Sequence, residues 1–302
     1  MIAWAPGKIV ISGAYSVLEG APAISGAVDR YVVADSSRRS AIVSEEVLAA
    51  YQSGAIDIVP WFDAAGLRTR MADGTTRKIG LGSSAAILVA SIASVFANRV
   101  TDEDELRRLV MPAAFAAHRA VQPLGSGMDV ATSVHGGVVH CLRREDGTLD
   151  VTQTNLPEGL VFEVFTCPVA ASTGQLLEKI DTFKQADMAT YRKHIDVAIE
   201  GAREAAGTRD ADVFIKAVGT QVDALGQLGR AAGTQIVIRP VAELNTLAAA
   251  EGAVFGPSGA GGGDIALWIG KTRPSEAFIA RAAFHRLEPL GVIVGARGVY
   301  VG

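Results

Sequence analysis

The sequence predicts an α+β chain of two domains, and three observations carry that reading. Alternating, β-branched segments are interleaved with long helical patterns, a cluster of turn residues divides the chain near its middle, and 302 residues of 49% hydrophobic content can bury a large core. Taken in order, 9–11, 31–34, 55–59 and 137–142 read as strands of the first half. Helical patterns at 82–98 and 103–120 pack on them, with Asp102 or Thr101 as the cap of the second, before its acidic first turn. The run Asn155-Leu156-Pro157-Glu158-Gly159 is a turn-rich break, so the expected domains are 1–157 and 158–302. A strand at 160–167 opens the second half, followed by helices at about 173–184, 187–206 and 210–230. In the second of these Tyr191, Ile195, Ala198, Ile199 and Ala202 form an apolar stripe at helical spacing. The tail reads as strand (265–269), helix (275–287) and strand (292–301), an alternation consistent with a ferredoxin-like second domain.

Composition narrows the function classes. A formal net charge of -4 gives no electrostatic basis for binding nucleic acid or an anionic membrane surface. The longest apolar run, 85–97, is broken by serines and is shorter than the ~20 residues of a membrane span. Cys141 and Cys167 both lie in apolar strand-like runs and, with no signal peptide in view, read as buried reduced thiols of a cytoplasmic protein. Low-complexity segments and internal repeats are absent.

The chemistry is concentrated in glycine-rich loops. Ile79-Gly80-Leu81-Gly82-Ser83-Ser84-Ala85-Ala86 runs into the apolar helix, a form in which glycines let the backbone close on a polyphosphate and helix amides point at the anion. It is not the GxxxxGK[ST] pattern, because no lysine follows the last glycine and a serine pair stands there. Two further clusters adjoin strands: Ala5-Pro6-Gly7-Lys8 with Gly13 to Gly20 near the start, and Pro257-Ser258-Gly259-Ala260-Gly261-Gly262-Gly263-Asp264 near the end. Three such clusters suggest backbone amides gathered around a phosphorylated ligand.

In this order the three segments resemble the motifs of the small-molecule kinases that include galactokinase, homoserine kinase, mevalonate kinase and phosphomevalonate kinase, the GHMP kinases. APGKIVISGAYSVLEGAPAISGAVDRYV, AHRAVQPLGSGMDVATSVHGG and GPSGAGGGD are most similar to phosphomevalonate kinases. The resemblance covers almost the whole chain. It implies a first half like domain 2 of ribosomal protein S5, a ferredoxin-like second half, a site between them, and ATP with Mg²⁺ as cofactors.

Phosphoryl transfer needs a phosphate cradle, a cation, a metal ligand and a group that orients the attacking oxygen. Lys78, Gly80, Leu81, Gly82, Ser83, Ser84 and Ala85 are the expected ATP-binding residues, and the resemblance makes Ser84 the Mg²⁺ ligand; serines there also cap a helix. Asp129, in Gly125-Ser126-Gly127-Met128-Asp129, matches the family's catalytic aspartate, as base or as orienting charge, with Lys8 beside it to neutralise charge. For the acceptor, the expected residues are Tyr15, Ser16, Ser126, Gly127, Ser258, Gly259, Ala260 and Gly261. Ser172 and Thr173 join them at a helix start where hydroxyls and free amides suit a phosphomonoester.

Two positions depart from the mevalonate kinase pattern. Ala14 stands where those enzymes, and many phosphomevalonate kinases, have glutamate, and His118 stands where mevalonate kinases carry a metal-binding glutamate; phosphomevalonate kinases often have alanine-histidine there, as Ala117-His118 does. Magnesium would then be held by Ser84, phosphates and water. The expected activity is phosphorylation of 5-phosphomevalonate by ATP. The alternatives are a kinase of mevalonate or another small alcohol, a related decarboxylase, and a non-enzymatic ligand-binding member. The expected partner is a phosphorylated or hydroxy-acid small molecule, the chain acting as monomer or homodimer.

Overall fold

A computed structural model describes residues 1–70, 76–100, 102–169 and 172–302. The long antiparallel pair β1 (Ile2–Ser12) and β2 (Pro22–Arg39) forms the spine of the first half, in register from Ile2 opposite Asp35 to Ser12 opposite Ile24, with shifts after Pro6 and Val10. After β2 come α1 (Glu45–Gln52), β3 (Pro60–Asp63), the small hairpin of β4 (Arg68–Arg70) and β5 (Thr76–Lys78), α2 (Ser83–Phe96), α3 (Glu103–Val121) and α4 (Met128–His135). β6 (Val138–Arg143) and β7 (Leu149–Gln153) extend the sheet on the far side of β2, while β3 also pairs with β2. α2 is apolar on all sides and almost wholly buried between the sheet and α3, which is why its sequence shows no polar face. α3 is capped by Asp102, whose side chain accepts from the Glu105 amide; the alternative cap Thr101 lies outside the described residues.

The second half has its own antiparallel sheet. It is built from β8 (Val161–Thr166), β9 (Val254–Pro257), β10 (Ile265–Gly270) and β11 (Glu288–Pro289) in the order β11-β8-β10-β9. α5 (Thr173–Ala186), α6 (Met188–Gly207), α7 (Ala211–Ala231), α8 (Arg239–Ala250) and α9 (Glu276–Phe284) complete it. Tyr191, Ile195, Ala198, Ile199 and Ala202 are buried with Ala224, Leu225 and Leu228 of α7, so the stripe read from the sequence is a helix–helix interface. Phe165, Phe255, Trp268 and Phe278 pack edge-to-face in a separate aromatic cluster between this sheet and α9.

Two strand expectations are corrected. Residues 55–59 wrap around the end of α1, where the amides of Ala55 and Ile56 both donate to the Ala50 carbonyl, and the strand begins only at Pro60. The alternation there reflects burial of Ile56, not extension. Residues 292–301 are largely irregular: isolated bridges join Val294 to Val28 and Arg297 to Gly136, and only β12 (Tyr300–Val301) pairs in a ladder, with β1. A segment without a continuous partner cannot satisfy its amides as a strand. The tail therefore returns to the first sheet, which has the order β12-β1-β2-β6-β7. α1, α4 and α8 carry no strong sequence signal; α1 and α4 are each 8 residues long, too short for periodicity to declare them.

Both cysteines are free and buried, and burial pushes each thiol up to about 12. No helix among the described residues is long and apolar enough to cross a membrane.

Candidate active site

A cavity of about 710 Å³ opens where the loops of both halves meet. The N-terminal ends of α2, α4 and α5 face it, through Gly82-Ser83-Ser84, Ser126-Met128-Asp129 and Ser172-Thr173-Gly174. Three positive helix ends converge on one space, whose wall carries Lys8, Arg77 and Lys78 together with the carboxylates of Asp129 and Asp264.

The α2 loop is shaped by two close approaches. Gly80 has φ 95°, and a Cβ on it would lie 2.4 Å from Asp264 Cβ, so the 79–86 and 257–264 glycine clusters touch here. Gly82 has φ 71° and carries the Lys8 side chain over its Cα, where a Cβ would meet Lys8 Cε at 2.9 Å. Gly82 is also the N-cap of α2 and offers no side-chain acceptor, leaving the first-turn amides for a ligand. The Lys8 amide donates to the Leu81 carbonyl at 2.8 Å, tying β1 to this loop.

Lys8 lies within the field of two carboxylates. Burial pulls its ammonium below the usual lysine range, while Asp129 and then Asp264 pull it back up. Asp129 Oδ1 accepts from the Val130 amide at 3.0 Å and lies 3.8 Å from His118 Nε2; its side chain is 27% exposed and open to the cavity. His118 is buried, and its Nδ1 has no hydrogen-bond partner among the described residues.

The loop from Gly13 to Gly20 is braced by side-chain contacts. Tyr15 holds φ 60°, and its hydroxyl donates to the Ala260 carbonyl at 2.8 Å. The Glu19 side chain, 8% exposed, pairs with Lys184 of α5 and with Arg192 of α6 at 3.1 Å, and accepts from the Tyr191 hydroxyl at 2.8 Å. Burial raises that carboxyl, but the hydrogen bonds and charges of Lys184, Tyr191 and Arg192 outweigh it and hold it below the usual glutamate range. The loop bearing Tyr15 and the helix that starts at Thr173 are thus fastened together.

Of the residues expected from sequence, the cavity wall includes Lys8, Tyr15, Lys78, Gly80, Gly82, Ser83, Ser84, Ser126, Asp129, Ser172, Thr173, Ser258, Gly259, Ala260 and Gly261. Four others stand behind it. Leu81 and Ala85 are fully buried core residues, Ser16 is buried with its hydroxyl donating to the Ala14 carbonyl at 3.3 Å, and Gly127 caps α4 against Phe115. The Ser258 hydroxyl is committed to β1, accepting from the Val10 amide at 2.8 Å and donating to the Val10 carbonyl at 3.1 Å. Ala170 and Ala171, which precede Ser172, lie outside the described residues.

These features meet what comparison finds. Residues 43–137 match the family described as GHMP kinases N terminal domain. The chain is homologous to phosphomevalonate kinase and mevalonate kinase, with the GHMP match confined to its first half. A phosphomevalonate kinase of Streptomyces sp. is 27% identical over 87% of this chain and 88% of its own. A mevalonate kinase of Archaeoglobus fulgidus is 30% identical over 45% of this chain and 51% of its own. The fold matches that of Streptococcus pneumoniae phosphomevalonate kinase, solved with phosphomevalonate and AMPPNP, with a TM-score of 0.70 at 19% identity over 97% and 99% of the two chains.

Four further residues adjoin the cavity that the sequence alone does not assign to a site. Asp264 ends the third cluster and packs on Gly80. Arg77 fastens β5 to the end of β8, donating to the Cys167 and Pro168 carbonyls at 2.7 and 2.9 Å. Gln122 and Glu46 meet Ser84: the Ser84 hydroxyl donates to Glu46 Oε1 at 2.5 Å, and Gln122 Nε2 donates to the same oxygen at 3.0 Å. Asp264 was visible in its motif. Glu46 had no local signal, since it lies 38 residues before its partner.

Proposed function

We propose that the chain is an ATP-dependent kinase whose acceptor is 5-phosphomevalonate. The observation that carries the reading is that one cavity holds two anion cradles, the Gly82-Ser83-Ser84 start of α2 and the Ser172-Thr173 start of α5, with Lys8 and Asp129 on its wall. In this reading the first receives the nucleotide phosphates and the second the phosphate already on the acceptor. Asp129 holds the acceptor hydroxyl by its proton, and Lys8 offsets the charge that develops.

The donor set suits a hard cation. Ser84 lines the cavity with the buried Glu46 carboxylate at its hydroxyl, and among the described residues no cluster of three or more His, Cys, Asp or Glu side chains forms a protein-only metal site. Such a site fits Mg²⁺, which keeps several waters and takes ligands from phosphate; Ser84 would hold it, and it would supply positive charge against the phosphates. The reading carries a cytoplasmic location and domains of 1–157 and 158–302, with the tail crossing back to β1.

A coupled assay of ADP release across mevalonate, 5-phosphomevalonate and 5-diphosphomevalonate tests the assignment. Turnover with 5-phosphomevalonate alone is expected. Ala14, which lines the cavity with no acidic side chain, leaves mevalonate as the second reading, and selective turnover of mevalonate would establish it. CO₂ release from 5-diphosphomevalonate would mark a decarboxylase, and no turnover a binding protein.

Replacing Ser172 and Thr173 together by alanine is expected to raise KM for the phosphorylated acceptor by about tenfold, as for one lost hydrogen bond to a charged group, with KM for ATP little changed. The Ser172 hydroxyl also caps α5, accepting from the Gln175 amide at 3.4 Å. Equal effects on both substrates would reduce the pair to that cap. A pH profile tests Lys8. Because Asp264 helps to keep its proton on, Asp264→Asn should let Lys8 deprotonate earlier and move the alkaline limb of kcat/KM to lower pH. An unmoved limb would mean that Lys8 is not the group titrating there.

A further inference from the structure

Glu46 is a buried acid without an evident structural reason. It is the second residue of α1, and its side chain is turned inward, 3% exposed, to the junction of α2 and α3. Ser44 already caps α1, accepting from the Val47 amide at 3.3 Å, and the exposed Glu45 supplies negative charge to the same first turn. Neither function requires a carboxylate to be buried at 46.

A buried carboxylate is costly unless a positive charge compensates it. Glu19 shows the ordinary solution, meeting Lys184 and Arg192. Among the described residues, no Lys, Arg or His stands within ion-pair distance of Glu46, whose partners are the neutral Ser84 and Gln122. Both of those line the cavity, so the charge sits one side chain behind its wall. The direction of the short bond also matters. A hydroxyl has one proton and two lone pairs; with its proton given to Glu46 Oε1, Ser84 Oγ can present only lone pairs elsewhere.

We propose that Glu46 is a positioning residue for a divalent cation at Ser84: it accepts the hydrogen bond of the Ser84 hydroxyl, leaves the oxygen lone pairs for the cavity, and supplies the negative charge that the cation compensates. This rests on the reading of the cavity as a nucleotide-metal site. It also gives that site a carboxylate from α1, in a chain that has His118 where the mevalonate kinase pattern has an acid. Partners that orient a metal ligand typically change metal affinity by about 10-fold to 100-fold when removed.

The test is Mn²⁺ binding to the AMPPNP complex, followed by the electron paramagnetic resonance signal of free Mn²⁺, in wild type, Glu46→Gln, Ser84→Ala and the double variant. Glutamine keeps an oxygen for the Ser84 proton and removes the charge. Glu46→Gln is expected to weaken Mn²⁺ about tenfold or more, with AMPPNP affinity in EDTA unchanged, and to add little on top of Ser84→Ala. Mn²⁺ affinity within about twofold of wild type would overturn the proposal. So would an undiminished effect in the Ser84→Ala background, which would show that Glu46 does not act through the hydroxyl, or an equal loss of metal-free AMPPNP binding, which would mark a structural acid. If Glu46→Gln does not fold, Glu46→Asp retains the charge but withdraws it from Ser84 and should also weaken Mn²⁺; wild-type affinity there overturns the assignment equally. A wild type that fails to bind AMPPNP at all removes the nucleotide reading itself, an outcome distinct from normal AMPPNP binding with unaltered Mn²⁺.

Discussion

Asp129→Asn is expected to lower kcat by about 10² to 10⁴, or roughly 3 to 5 kcal/mol of transition-state stabilisation, with modest change in KM for either substrate. Asparagine keeps the shape of the side chain and an oxygen to accept from the Val130 amide, so the start of α4 should survive. What it loses is the capacity to take a proton and the negative charge that faces Lys8. The interaction removed is made mainly as the acceptor oxygen attacks, which is why the loss falls on kcat. Steady-state kinetics with both substrates, read beside a thermal melt, decide the matter. Near-normal turnover would place the catalytic carboxylate elsewhere, and Asp264 would be the next to test. A fall matched by unfolding would show that Asp129 acts on the fold.

Gly82→Val should weaken ATP binding by about 10²-fold, the equivalent of one or two lost hydrogen bonds from amides to a charged phosphate. Gly82 sits at φ 71°, a conformation unfavourable to β-branched side chains, and its added Cβ would lie 2.9 Å from Lys8 Cε and 3.0 Å from Lys8 Cγ. The substitution thus narrows the space where phosphate must approach the α2 amides and displaces the neighbouring cation. Strain of about 1–3 kcal/mol is a fraction of the stability of a typical domain, and the buried body of α2 is untouched, so the protein should fold. Isothermal titration with AMPPNP reads the result. Full affinity in a folded Gly82→Val protein would mean that the nucleotide lies elsewhere in the cavity.

Features that depend only on neighbours along the chain are legible in the residues themselves. Glycines at 80 and 82 followed by an apolar run define a loop and a helix whatever surrounds them, because the conformations they adopt are local. The long amphipathic patterns of α3, α6 and α7 were equally legible, since each repeats its burial over five turns or more. Lys8, Ser84 and Asp129 were legible as chemistry because each falls in a segment that resembles a kinase motif. Tertiary structure alone decided which of these share a space. It joined Gly80 to Asp264 and Tyr15 to Ala260, and it bound Glu19 to α5 and α6. The same packing set Leu81, Ala85, Ser16 and Gly127 behind the wall, although they lie in the same motifs as residues that line it. It also folded 55–59 around the end of α1 and sent 292–301 back to the first sheet, because a strand exists only where a partner edge runs beside it. Glu46 is the plainest case. Nothing within its own helix distinguishes it from Glu45, and only the packing of α1 against α2 and α3 buries one carboxylate at Ser84 and leaves the other in water.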